Sequence, residues 1–75
     1  MAVFKKHGIG IDIVKISRIG DQHKAGMWAA NEAVFKATGE HIAVKKDENG
    51  RPYSEGVDIS ITHDGEYAIA VAMVI

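Results

Sequence analysis

Between residues 7 and 16 the side chains alternate with a period of two. Ile9, Ile11 and Ile13 share one face of an extended chain, and Gly8, Gly10, Asp12, Val14 and Ile16 share the other. The run predicts a buried strand, which Gly20 and Asp21 end. Asp21 is a helix N-cap by residue type, but Gly26 weakens the first turns, so regular helix is expected from near Met27 to a stop at Gly39. Met27, Ala30, Val34 and Ala37 form its apolar stripe, and Trp28, Glu32, Phe35 and Lys36 the adjoining flank. Segments 41–46 and 51–54 flank Asn49-Gly50, a hairpin signal because both residues tolerate positive φ. A second hairpin, at Asp64-Gly65, joins 57–63 to 66–75. In the last strand Tyr67, Ile69, Val71, Met73 and Ile75 alternate with Ala68, Ala70, Ala72 and Val74. Flat alanines on one side let another layer come close, which predicts a central strand covered on both faces. The sum is an α+β fold, an antiparallel β-sheet packed on one main helix, with residues 1–75 forming one domain.

A chain of 75 residues buries only about 60% of the surface it exposes when unfolded. With no cysteine it has no disulfide, thiolate zinc site or thiol nucleophile, so oligomerisation is the expected extra source of stability. A net charge of −1 gives no electrostatic case for nucleic acid or an anionic membrane as partner. No apolar run approaches the roughly 20 residues that span a bilayer. The opening M-A-V-F-K-K-H-G lacks the long apolar core of a signal peptide, and a cytoplasmic location is expected.

Asp12 is the first candidate for chemistry. An aspartate in mid-strand is disfavoured and must meet water, a partner or a metal. Glycine in a strand marks close approach of a ligand or another backbone, and Gly8 and Gly10 beside Asp12 read as an open shelf beneath a carboxylate. Glu32 and Lys36 are four apart and share a helix face; their plain reading is an i,i+4 ion pair contributing about 0.2–0.5 kcal/mol. Two carboxylates on separate elements suit magnesium, whose shell is completed by water and substrate phosphates. Lys36 would then neutralise phosphate charge. His63 closes a strand whose inward set is Val57, Ile59 and Ile61, which puts its imidazole at the core's rim; its plain reading is a hydrogen bond to a turn. Thr62 adds a hydroxyl. His7, His23 and His41 have no metal-like spacing and read as solvated.

Four segments in order, G-I-G-I-D-I-V (8–14), W-A-A-N-E-A-V-F-K-A (28–37), D-E-N-G-R-P-Y (47–53) and D-I-S-I-T-H-D (58–64), resemble the holo-acyl-carrier-protein synthase family of small 4'-phosphopantetheinyl transferases. With the closing E-Y-A-I-A-V they cover most of the chain. The resemblance implies a homotrimer with active sites between subunits. It implies transfer of the 4'-phosphopantetheine arm from coenzyme A to a serine of an acyl carrier protein, with Mg2+ held by Asp12 and Glu32. Glu32, or a metal-bound water it orients, would take the serine proton, and Lys36 would steady the transferred phosphate. His63 and Thr62 would lie near the coenzyme phosphates; Asn49, Gly50, Arg51 and Pro52 would line its nucleotide end; and Arg18 would contact the carrier.

The chain is shorter than family members, with helical material missing between Arg18 and Trp28 and between Tyr53 and Val57. Met27 stands where the family has arginine, and Asn31 where it has lysine. Both changes remove cations beside a pyrophosphate site, where hydrogen bonds to charged groups contribute about 1.5–3 kcal/mol each. The alternative is a catalytically weak or inactive oligomeric module of the same fold that binds coenzyme A or the carrier. The presence of Asp12, Glu32, Lys36 and His63 together argues against it.

Overall fold

The glycines of the first strand set the architecture. Residues 8–75 are described in the computed structural model, and His7 and the opening segment lie outside them. The elements are β1 (Ile9–Lys15), α1 (Ile16–Ile19), α2 (Gln22–Thr38), β2 (Lys45–Lys46), β3 (Pro52–Ser54), β4 (Val57–Asp64) and β5 (Tyr67–Val74). The strands form one antiparallel sheet in the order β1-β5-β4-β3-β2, with α2 packed across one face.

A Cβ built on Gly8 would land on the carbonyl oxygen of Ala37, and one on Gly10 on that of Ala33. The space over these glycines is therefore filled by the backbone of α2, which corrects the expectation of an open shelf. Across β5 the facing residues are Ala68, Ala70 and Ala72, all fully buried together with Ala29, Ala30 and Ala33 of the helix. Small residues on both partners bring the two layers close and leave little room for larger side chains. The isoleucines of β1 accordingly point outward. Ile9 is 67% exposed and Ile11 and Ile13 are each 58% exposed, so the glycine and aspartate face is the covered one. β5 is central as expected, but only its alanine face is covered; Tyr67, Val71 and Met73 stand exposed beside the β1 isoleucines.

Helix α2 begins at Gln22, earlier than the glycine at position 26 suggested. Asp21 caps it, its Oδ1 accepting from the backbone N–H groups of His23 at 2.7 Å and Lys24 at 3.1 Å. The bond from the Lys24 backbone, with that from His23, holds the Asp21 carboxyl below the usual aspartate range. Gly39, at φ 81°, ends the helix and donates to the Phe35 carbonyl. Both hairpins form. The first is a three-residue loop in which Asp47 Oδ1 accepts from the N–H groups of Asn49 and Arg51, each at 2.9 Å, and only Gly50 takes positive φ. The second turns on Gly65-Glu66, one residue later than expected, between the paired Asp64 and Tyr67. Among the described residues no helix is long and apolar enough to cross a membrane.

Candidate active site

On the β1 side of α2, Asp12 faces the helix because the period-2 alternation puts it on the same side as Gly10 and Val14. Lys36 reaches down to it. The Lys36 ammonium lies 3.1 Å from Asp12 Oδ1 and 3.1 Å from the Ile11 carbonyl oxygen, using two of its three hydrogens. Among the described residues Lys36 pairs with Asp12 and not with Glu32, which replaces the expected i,i+4 pair by one across the two layers. Asp12 and Glu32 nevertheless share a cavity of about 530 Å³, bounded also by Val14, Arg18, Ile19 and Trp28. Arg18 is carried there by α1, a single helical turn closed by Gly20 at φ 89°. No three His, Cys, Asp or Glu side chains converge as metal ligands among the described residues. An ion here would have two carboxylate ligands at most, which fits a hard cation that keeps water and phosphate oxygens in its shell.

On the β4 side, His63 lies on the helix-facing side of the sheet, paired with Ala68. Gly26 lets it sit there. A Cβ at residue 26 would come within 3.0 Å of Ile61 Cγ2 and 3.2 Å of His63 Nε2. A cavity of about 150 Å³ brings His63 together with Gly50 and Pro52, and Met27, His23 and Lys46 also border it. His23 and Lys46 come from distant segments with no local motif to announce them; only the folded chain puts Lys46 Nζ 2.7 Å from His23 Nε2.

Other sequence-selected residues lie elsewhere. Thr62 pairs with Ile69 on the outer face of the sheet, opposite to His63. Arg51 borders an outer groove with Ile9, Asp58, Ser60 and Met73. Asn49 is exposed in its turn. Asn31 bonds its side-chain amide to the Met27 carbonyl at 3.0 Å and borders a groove with Arg18, Lys24 and Trp28. Within one chain, then, the carboxylate pair and the His63 group occupy opposite flanks of α2, and neither cavity contains a member of the other set.

No family model matches the chain. It is 34% identical to the holo-[acyl-carrier-protein] synthase of Sulfurimonas denitrificans, an alignment that takes in 88% of this chain and 93% of that protein. The chain belongs to the holo-[acyl-carrier-protein] synthase family. That alignment runs over 112 residues against the 75 of this chain, so it opens substantial gaps, as expected of a shortened holo-[acyl-carrier-protein] synthase. Solved structures agree. The acyl carrier protein synthase of Mycobacterium tuberculosis superposes with a TM-score of 0.76 at 29% identity, covering 91% of this chain and 96% of that one. The holo-(acyl-carrier-protein) synthase of Bacillus anthracis, solved in complex with CoA (3',5'-ADP), gives 0.74 at 28% identity over 89% of this chain and 94% of that one.

Proposed function

We propose that this chain transfers the 4'-phosphopantetheine group of coenzyme A to a serine of an acyl carrier protein. The observation that carries this reading is the shared cavity of Asp12 and Glu32 with the Lys36 ammonium bonded to Asp12. Family membership and the CoA-bound Bacillus anthracis relative supply the substrate. Asp12 and Glu32 would hold Mg2+, which would neutralise pyrophosphate charge and make the bridging oxygen a better leaving group.

The protein's own groups account for the remaining steps. Glu32, at the cavity wall, takes the proton of the attacking serine directly or through water. The serine oxygen bonds to the phosphorus of the pantetheine phosphate as the bond to the bridging oxygen breaks. Adenosine 3',5'-bisphosphate leaves. Lys36 has one ammonium hydrogen left after its bonds to Asp12 and Ile11, and donates it to the phosphoryl group as charge builds. Arg18 and Trp28, at the mouth of the same cavity, offer a cation and an aromatic surface to the carrier.

The division of the site supports an assembly of several copies. If one coenzyme molecule meets both the carboxylate pair and the His63, Gly50 and Pro52 group, their places on opposite flanks of α2 favour a site to which two copies of the chain contribute. The outer sheet face, with Ile9, Ile11, Ile13, Val71 and Met73 exposed, is the apolar surface that copies would bury, and a homotrimer closes such an arrangement.

The deciding experiment is mass spectrometry of an apo carrier protein incubated with the chain, coenzyme A and Mg2+. A mass gain of one phosphopantetheine arm is expected, lost in Asp12→Asn and in Glu32→Gln. Coenzyme A binding without any mass gain would leave the non-catalytic module as the reading.

A further inference from the structure

An exposed turn is a place where a side chain can react with its own backbone, and the chain has two asparagines to compare, Asn31 and Asn49. Asn31 is secured. Its side-chain nitrogen donates to the Met27 carbonyl at 3.0 Å, and the backbone nitrogen of Glu32, next in the chain, is bound into the ladder of α2. Asn49 is the opposite case. It is exposed in the loop between β2 and β3 and is followed by Gly50, also exposed, whose missing side chain leaves the backbone nitrogen open to approach.

An asparagine placed before a glycine can consume its own amide. The Gly50 nitrogen gives up its proton and bonds to Asn49 Cγ, the bond from Cγ to the side-chain nitrogen breaks, and that nitrogen takes up the proton and leaves as ammonia. One water then opens the five-membered imide to aspartate or, through its other carbonyl, to isoaspartate.

The fold restrains this step through Asp47. The Gly50 N–H donates to the Asp47 carbonyl at 2.9 Å, and Asp47 Oδ1 accepts from the N–H groups of Asn49 and Arg51, each at 2.9 Å. The Asp47 N–H closes the loop by donating to the Arg51 carbonyl. The nitrogen that must attack is therefore engaged, and the neighbouring carboxylate opposes the loss of its proton. Reaction waits for the loop to open.

The structure assigns Asn49 as the site of spontaneous deamidation of this chain and Asp47 as the residue that sets its rate. The inference is independent of the functional reading above. A carboxylate at residue 49 would directly follow those of Asp47 and Glu48, and isoaspartate would add a backbone carbon to the loop. Strand β2 is only Lys45–Lys46, paired with Tyr53 and Pro52, so it has no further pairs with which to hold the hairpin. Conversion loosens β2 from β3.

Intact-mass and peptide-map measurements on the full chain in mildly alkaline buffer test the assignment, comparing the folded chain, the same chain unfolded in guanidinium chloride, Asn49→Gln, Asp47→Ser and Asp47→Ala. The mass gain of an amide turned to an acid should fall on residue 49, be absent there in Asn49→Gln, and appear about tenfold or more faster in the unfolded chain than in the folded one. Asp47→Ala should recover most of that difference, and Asp47→Ser, whose hydroxyl still accepts from the turn, should fall between. Isoaspartate formed at Asp64-Gly65 changes no mass and does not enter the measurement. Conversion of Asn31 in the folded chain ahead of Asn49 would overturn the site. Equal rates in the folded and unfolded chains, or an Asp47→Ala rate no faster than that of the unaltered folded chain, would overturn the role of Asp47. Circular dichroism shows whether Asp47→Ala stays folded; where it does not, the folded against unfolded comparison and Asp47→Ser decide.

Discussion

Lys36 crosses from the main helix to the first strand and places its ammonium 3.1 Å from Asp12 Oδ1. The aspartate side chain is 17% exposed and the lysine side chain 52% exposed, so the pair lies half in water and contributes little to folding. Screened pairs of this kind are worth at most about 1 kcal/mol. Their value is positional.

Lys36→Met should therefore leave thermal stability nearly unchanged and lower the transfer rate. A drop in kcat of about 10²–10³-fold is expected for a donor aimed at developing phosphoryl charge. Parallel melting curves and turnover by mass spectrometry separate the two effects. Unaltered kcat would remove Lys36 from the chemistry.

The outer sheet face gives the second expectation. Ile11 and Val71 are paired in register and both exposed, so a lysine at either position would put charge into the middle of the apolar face. Sedimentation should show an oligomer for the unaltered chain at micromolar concentration and a smaller species for Ile11→Lys and for Val71→Lys. A folded monomer of the unaltered chain would defeat the trimer.

Asp21 controls the start of α2. Its pKa is lowered in the folded chain, so its contribution to stability is fully present above the ordinary value of 3.8 and is lost as pH falls through the depressed folded value. Asp21→Ala should lower Tm at pH 7, whereas Asp21→Asn, also a good cap, should retain most of it. Melting the asparagine variant from pH 6 to pH 2 should show a shallower acid-side decline than the unaltered chain. Equal declines in the two proteins would assign the acid sensitivity to other carboxylates.

The family resemblance implies cations at positions 27 and 31, and the fold places Met27 and Asn31 differently. Both border the Arg18 groove, but only Met27 also borders the His63 cavity, while the Asn31 side-chain amide donates to the Met27 carbonyl. Met27→Arg should tighten coenzyme A binding by up to about 3 kcal/mol, less as salt rises, and Asn31→Lys should add little. Calorimetry over a salt series checks this; no gain at low salt would mean that residue 27 does not face the nucleotide.

Much of this was legible in the residues. The aspartate before α2, the glycine after it and the two hairpin turns announce themselves through local backbone chemistry; Asp12 could be chosen because an aspartate is unusual in mid-strand, whereas Glu32 and Lys36, ordinary in a helix, were singled out by their shared face and the family resemblance. The buried face of β1 was misread. Gly8 and Gly10 read as an open shelf, but close fit with an alanine-rich helix covers that face and leaves Ile9, Ile11 and Ile13 outward, and fit is a property of two partners. Thr62 went to the far side of the sheet by alternation next to His63, and Arg51 to the outer groove. The meeting of His23 with Lys46 joins residues 23 positions apart, and no window along the chain contains it.

The contact between Gly8 and Gly10 and the carbonyls of Ala37 and Ala33 means that main-chain atoms, and not side chains, set the gap between β1 and α2. Side chains around the site can be exchanged and repacked, but a backbone resting on a backbone has nothing to exchange. Asp12 and Glu32 thus stand on two surfaces whose separation is gauged by what those glycines lack, and drift in the surrounding sequence would carry the width of the opening along unaltered until a single methyl group appeared at residue 10.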